Sequence, residues 1–198
     1  YISAVKALLK DITNNAGVSP EDIISIGIDF TACTVLPVDK NYKPLCMNPR
    51  FRKNPHSWVK LWKHHGAQAE ADEINETARR RGEIFLDYYG GSSSSEWFFA
   101  KAMEVYHKAP EIYEAAELFV EAGDWVIWAL TGEMTTSTCM AGYKAFWNHE
   151  TGYPKNDFFA GMEPGLSGIT EKVISDVRPV GAKAGGLTKE MAAQTGLR

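Results

Sequence analysis

IISIGIDFTACTVLPVD, residues Ile23–Asp39, alternates Ile24, Ile26, Ile28 and Phe30 on one face and ends in a polar cluster of Asp29, Thr31, Cys33 and Thr34. Period-two apolar patterning predicts a strand lying in a sheet. Open α/β sheets bind ligands at the carboxyl ends of their strands, so this cluster is the first candidate site. Asp29 reads either as a paired structural carboxylate or as a ligand group.

Upstream, Ile2, Val5, Leu8, Leu9 and Ile12 recur at helical spacing and the pattern stops near Asn14–Gly17. Ser19 caps the next turn, with Pro20 at its first position. Downstream, TVLPVDKNYKPLCM (Thr34–Met47) predicts two short strands about a turn at Asp39–Lys43. From Asn54 to about Val120 the spacing is helical. One block runs through Trp58, Leu61, Trp62, Ile74 and Ala78 and stops at Gly82; a second carries Phe98, Ala102, Val105 and Ala109, and Pro110 restarts the pattern. Asp124 is expected to cap a Trp-rich helix that ends at Gly132, and Thr188 and Gly196 bracket the last one. MTTSTCMAGYKAFWN (Met134–Asn148) mixes small, β-branched and aromatic residues, which suits a strand or an irregular segment.

With 198 residues, 44% of them hydrophobic, the chain is long enough for one sizeable core or two small ones. A net charge of −4 with both signs interspersed gives no polyanion-binding face, so a nucleic-acid partner is not expected. The three cysteines, Cys33, Cys46 and Cys139, form neither a CxxC pair nor a disulfide framework, which fits a reducing cytoplasm. No run approaches the roughly 20 apolar residues of a membrane span, so a soluble protein is expected.

Several residues invite chemistry. His56, His64 and His65 lack a metal-binding spacing, and adjacent helical residues point about 100° apart, so solvated or core roles are expected. GAKAGG (Gly181–Gly186) has neither dinucleotide-loop nor phosphate-loop order and reads as a turn before a helix. Helical spacing assigns most of the six tryptophans to the core, with one or two left to face a ligand. Lys144, among small and aromatic residues, is either a surface lysine or an oriented cation in a cleft. Glu96 reads as a first-turn acid favoured by the helix dipole.

GIDFTACTVLPVD, NPHSWVKLWKHHGAQAEADEIN, the run from YGGSSSSEWFF through ALTGE, STCMAGYKAFW and AGGLTKEMAAQTGL follow one another in an order that resembles the FGGY carbohydrate kinases. DFTACT, HSWVKLWKHH and AGYKA are similar to the branch that acts on L-ribulose; APEIYEAA and ALTGE are shared more widely. The resemblance implies an α/β, ribonuclease H-like (actin-like) fold, with residues 1–198 forming part of the amino-terminal, sugar-binding domain. It also implies that the family's phosphate hairpin, its catalytic aspartate motif and its nucleotide domain lie outside these residues. ATP and Mg²⁺ would serve the parent enzyme, and the 198 residues alone would transfer no phosphate.

By the same resemblance, Ala32 falls where glycerol kinases carry a substrate-gripping arginine, leaving room for a five-carbon keto sugar. Lys144 matches a lysine turned toward the sugar. Glu96 aligns with a substrate-contacting tyrosine of different chemistry, and Glu104 stands where many relatives have tryptophan, after the lysine matched by Lys101. The expected partners are L-ribulose or a related pentulose and the rest of the parent kinase, with homo-oligomerisation left open. The alternatives are a kinase of the same family for another pentulose or polyol, or a non-catalytic carbohydrate-binding module built on the tryptophans.

Overall fold

The computed structural model describes residues 1–197. The chain opens with α1 (Ile2–Asn15), and its first strand is β1 (Val35–Val38). A helical stretch follows: α2 (Gln68–Arg81), α3 (Phe98–Lys108) and α4 (Pro110–Ala115). After β2 (Leu118–Glu121) come α5 (Ala122–Thr131), β3 (Thr136–Ser137), α6 (Thr138–Lys144), α7 (Asn156–Ala160), β4 (Val177–Arg178) and α8 (Lys189–Thr195). β1 and β2 pair antiparallel, Val35 opposite Glu121 and Val38 opposite Leu118; β3 and β4 pair parallel.

At the centre lies α3. From Phe98 to Val105 every residue is buried, as expected of a helix that is apolar nearly all round and enclosed on all sides. It packs between α2 and α4 and against β1. Its Phe99 ring stacks on Phe146 at 5.8 Å and 6°, and Phe159 closes in at 4.8 Å. Phe146 holds a φ of +61°, a left-handed backbone that bulky residues rarely adopt. The rings of Phe85, Tyr89, Trp97 and Phe99 around it supply the packing that sustains this conformation.

Helix punctuation follows the sequence closely. Gly82, Gly132 and Gly196 end their helices in the left-handed conformation, and Thr188 Oγ1 caps α8 by accepting from the Met191 amide at 3.2 Å. Several expectations are corrected. Residues 24–30 run extended, with Ile26, Ile28 and Phe30 turned inward and Ser25, Gly27 and Asp29 outward, yet they form no strand and make no backbone hydrogen bond among the described residues. Alternation specifies a face; a strand also needs a neighbour's amides and carbonyls. Ile24, at 95% exposed, falls outside even the buried face.

The block from Trp58 to Ala78 is not one helix. Residues 55–57 form a single 3₁₀ turn, α2 begins only at Gln68, and Trp58, Leu61 and Trp62 are exposed. Pro55 and Gly66 punctuate this stretch more strongly than its apolar spacing extends it. Asp124 does not cap α5. It lies buried in the first turn, where Thr136 bonds its side chain, while the cap position belongs to Glu121. Residues 134–148 form the two-residue β3 followed by α6, because Ser137 Oγ accepts from the Met140 amide at 3.1 Å and starts a helix. Trp97, Trp125, Trp128 and Trp147 are half-buried, so no tryptophan is fully in the core.

The predicted hairpin shrinks to one bridge, Val38 to Pro44, around an Asp39 carboxylate that accepts from the amides of Asn41 and Lys43 at 2.8 and 3.0 Å. Since residues 24–30 lack a ladder and β1 has one, hydrogen–deuterium exchange should label the amides of 24–30 within seconds and leave the ladder amides of β1 protected at least about a hundredfold longer. Equal labelling of the two segments would mean that the extended segment is hydrogen-bonded after all.

Candidate functional site

The chain turns sharply at Ala32–Cys33, between the extended segment and β1. Cys33 takes a φ of +64° and is 1% exposed, so a non-glycine residue sits in a left-handed turn inside the protein. Such a turn needs partners for its backbone, and two buried charged side chains supply them. Lys101, from the middle of α3, donates to the Cys33 carbonyl at 2.6 Å and the Leu61 carbonyl at 2.8 Å, with Trp62 O at 3.5 Å. Glu121, at the end of β2, accepts from the Cys33 and Thr34 amides at 2.8 and 3.0 Å. One side chain holds the turn's carbonyl and the other holds its amides.

Burial sets the protonation of this clamp. Desolvation pulls the Lys101 ammonium down to about 8, a shift that Lys144 adds to and that Cys33, Glu121 and Glu96 oppose. Desolvation likewise pushes the Glu121 carboxyl up to about 8; repulsion from Asp124 adds to the shift and the two donated amides oppose it. Cys33 is pushed up to about 12 by burial and by Glu121, which keeps its thiol protonated and unreactive.

The sequence-predicted residues fall around this turn. Ala32 is half-buried immediately before Cys33, at the turn itself. Lys144, half-buried in the last turn of α6, lies within charge–charge range of both Cys33 and Lys101, its ammonium 5.1 Å from the Tyr143 ring centroid. Glu96, just before α3, lies within range of Lys101 and faces His65 Nε2 at 3.5 Å. Asp29 is exposed, and among the described residues it makes no hydrogen bond or ion pair. A groove of about 870 Å³ lies elsewhere, between residues 23–30, α5 and residues 178–187, with Asp124 and Thr136 in its wall. Ala32, Lys144 and Glu96 do not line it. Desolvation pushes the Asp124 carboxyl up to about 7 against the hydrogen bond of Thr136.

His56, His64 and His65 do not converge. His56 Nδ1 meets the Lys60 ammonium at 3.1 Å, His64 bonds Glu104 at 2.6 Å, and His65 faces Glu96. Glu104, 2% exposed on α3, also takes Lys60 at 2.8 Å and Lys108 at 3.0 Å. Desolvation would raise its carboxyl, but the hydrogen bonds of Lys60 and Lys108, the Lys60 charge and the His64 hydrogen bond bring it down to about 2. Lys101 and Glu121 are the residues that pattern reading passed over as site builders. Their signal is a lone lysine inside FFAKAMEV and an acid closing the apolar run LFVE.

Solved structures show where this arrangement belongs. The fold is that of sugar kinases: a ligand-bound xylulose kinase from Lactobacillus acidophilus superposes with a TM-score of 0.69 at 15% identity, covering all of this chain and 36% of that one. A gluconate kinase from the same organism gives 0.69 at 16%, again covering all of this chain and 36% of the other. Residues 1–198 match the FGGY family of carbohydrate kinases, N-terminal domain, and the chain belongs to that family. Over its whole length the chain is 50% identical to ribulokinases of Geobacillus thermodenitrificans and Bacillus licheniformis and 41% identical to that of Mycolicibacterium smegmatis. It spans about 35% of the length of these relatives.

Replacing Lys101 with Met should leave the buried carbonyls of Cys33 and Leu61 without a donor. Stability in urea should fall by about 2–4 kcal/mol; a loss below about 0.5 kcal/mol would remove Lys101 from the support of the turn. A second test concerns Glu104, whose folded value of about 2 lies below the ordinary 4.5. A depressed carboxyl stabilises the fold above its unfolded value, and that contribution disappears as pH falls from about 4.5 through about 2. Glu104→Gln lacks the titration, so the stability gap between parent and variant should narrow across that acid window in pH-resolved denaturation.

Proposed function

We propose that these 198 residues are the sugar-holding part of an ATP-dependent kinase that phosphorylates L-ribulose to L-ribulose 5-phosphate, a cytoplasmic step of L-arabinose breakdown. The observation that carries this reading is an identity of about 50% to ribulokinases, averaged over the whole chain. In it the Ala32–Cys33 turn forms a wall of the sugar site, and the small Ala32 side chain leaves space for the substrate. Lys144 donates charged hydrogen bonds to sugar hydroxyls, orienting the one that reacts. Lys101 and Glu121 position the turn and do not touch the sugar; Glu96 is the weaker contact, held by His65.

ATP and Mg²⁺ belong to the reaction in this proposal but not to these residues. Phosphoryl transfer needs a cradle for the phosphates, a metal and a carboxylate near the attacking hydroxyl. The groups around Ala32 offer Lys101, whose ammonium is committed to backbone carbonyls, and Lys144. They do not make a nucleotide site, and the proposal assigns that chemistry to the rest of the enzyme.

A second sugar is the competing reading, since the structural neighbours include kinases named for xylulose and gluconate. A full-length protein containing this chain, tested with L-ribulose, D-xylulose, D-gluconate and glycerol in an ADP-release assay, separates them. The expected kcat/KM for L-ribulose exceeds the others at least tenfold. Lys144→Met should raise the KM for L-ribulose about tenfold or more, the equivalent of one charged hydrogen bond of about 1.5 kcal/mol or above. A preference for another sugar overturns the substrate; an unchanged KM in Lys144→Met overturns the role of Lys144.

A further inference from the structure

Lys144 is the last residue of α6, and what fixes its place lies outside that helix. In a continuing helix the Phe146 amide would bond the Gly142 carbonyl, four residues back. The left-handed backbone of Phe146, at φ +61°, ends that pattern at a position where helices usually carry glycine. Trp147 returns its amide to the Ala141 carbonyl at 3.2 Å. The Gly142 carbonyl is taken by a side chain from another segment: the hydroxyl of Tyr89, at the end of the 3₁₀ turn Ile84–Tyr89, donates to it at 2.5 Å.

The Tyr89 hydroxyl is built to donate. Burial pushes it up to about 12, so it keeps its proton, and the Phe146 amide facing it opposes that push. The ring is held independently of the hydroxyl. Trp97, which precedes the first turn of α3, meets it edge-on at 5.3 Å, and Phe146 does the same at 5.3 Å. Phe146 is itself stacked on Phe99 of α3. Tyr89 thus bonds the residue two before Lys144 and packs against the residue two after it.

We propose that Tyr89 is a positioning residue for Lys144, fixing the last turn of α6 so that the lysine presents its ammonium in one direction. Its effect on the reaction rests on the sugar-site reading of Lys144; its effect on where Lys144 stands does not. The last carbonyls of a helix have no partner within it, and a turn whose carbonyl loses its donor is free to fray. A hydrogen bond from Lys144 to a sugar hydroxyl weakens steeply as its angle opens, so a frayed last turn costs binding even with the ammonium present. Lys101 lies two residues beyond Phe99 on α3, so the turn beside Ala32 and the support of Lys144 are set from the same helix.

The test uses the full-length protein containing this chain, with its lysines reductively ¹³C-methylated and the Lys144 signal identified by its loss in Lys144→Met. Tyr89→Phe keeps the ring and removes the hydroxyl; Tyr88→Phe, at an exposed neighbour, is the control. In Tyr89→Phe the Lys144 signal should move, the KM for L-ribulose should rise about fivefold, the equivalent of about 1 kcal/mol, and kcat should stay within about twofold. Tyr88→Phe should leave all three unchanged. With Lys144→Met already in place, Tyr89→Phe should raise KM by less than about 1.5-fold, because a residue that acts through Lys144 then has nothing to act on. A Lys144 signal that keeps its parental position in Tyr89→Phe overturns the proposal, and so does a KM rise as large without Lys144 as with it. An unchanged KM in Lys144→Met alone overturns the sugar-site reading instead, and the Lys144 signal in Tyr89→Phe then decides the positioning role by itself.

Discussion

Two buried ionisable side chains holding one turn are the constraint on which the candidate site depends. Without Lys101 and Glu121, the left-handed Cys33 backbone would place a carbonyl and two amides in the interior with no water and no partner. Each orphaned group would cost about 1–3 kcal/mol. The two side chains belong to elements remote in sequence, α3 and β2. Ala32 is therefore fixed relative to the centre of the core rather than to its neighbours along the chain. The adjoining extended segment makes no backbone hydrogen bond among the described residues, so it is these two side chains that set the position of the turn.

The parts of the fold that were legible in the sequence are those set by local chemistry. Gly82, Gly132 and Gly196 end helices because a left-handed residue without a Cβ costs little, and Thr188 starts α8 because its hydroxyl satisfies a free amide. What was not legible depended on partners. The isoleucine alternation was correct as to which side of residues 25–30 faces inward, and silent about whether anything lies alongside. Trp58, Leu61 and Trp62 keep helical spacing but occupy a loop tied down by polar contacts, so their periodicity carries no burial. Asp124 looks like a cap by position, but its carboxyl turns inward, to Thr136.

The site was legible in a similar, partial way. Motif resemblance brought Ala32, Lys144 and Glu96 together, and the structure places Lys144 and Glu96 within electrostatic range of the lysine that holds the turn. Resemblance did not explain why Ala32 stands still. The explanation lies in Lys101 and Glu121, which a sequence reveals only as charges in the wrong company: a lysine flanked by Phe99, Ala100, Ala102 and Met103, and an acid after Phe119 and Val120. Charged residues that are fully buried are nearly always paired or hydrogen-bonded, so such interruptions mark supports as often as active groups.

Helix α3 shows how one buried element can organise several loops. Lys101, Glu104 and His107 follow one another at three-residue intervals, and three residues turn an α-helix by about 300°, so each lies about 60° back from the last. The result is a polar strip that winds slowly along a helix otherwise apolar on every side. Each residue on it anchors a different segment: Lys101 the turn at Cys33 and the carbonyl of Leu61, Glu104 the side chains of Lys60 and His64, His107 those of Glu70 and Glu163. At Gly66 the fit is close enough that an added Cβ would lie 2.7 Å from both the Glu104 carboxylate and the His64 ring. The loop around Trp58–Trp62 is thus held at its base by buried charges while both tryptophans stay half exposed, the Trp58 Nε1 donating to the Arg52 carbonyl at 2.8 Å. α3 fixes the loop and the turn from a single rigid axis, the arrangement by which a scaffold positions loop residues.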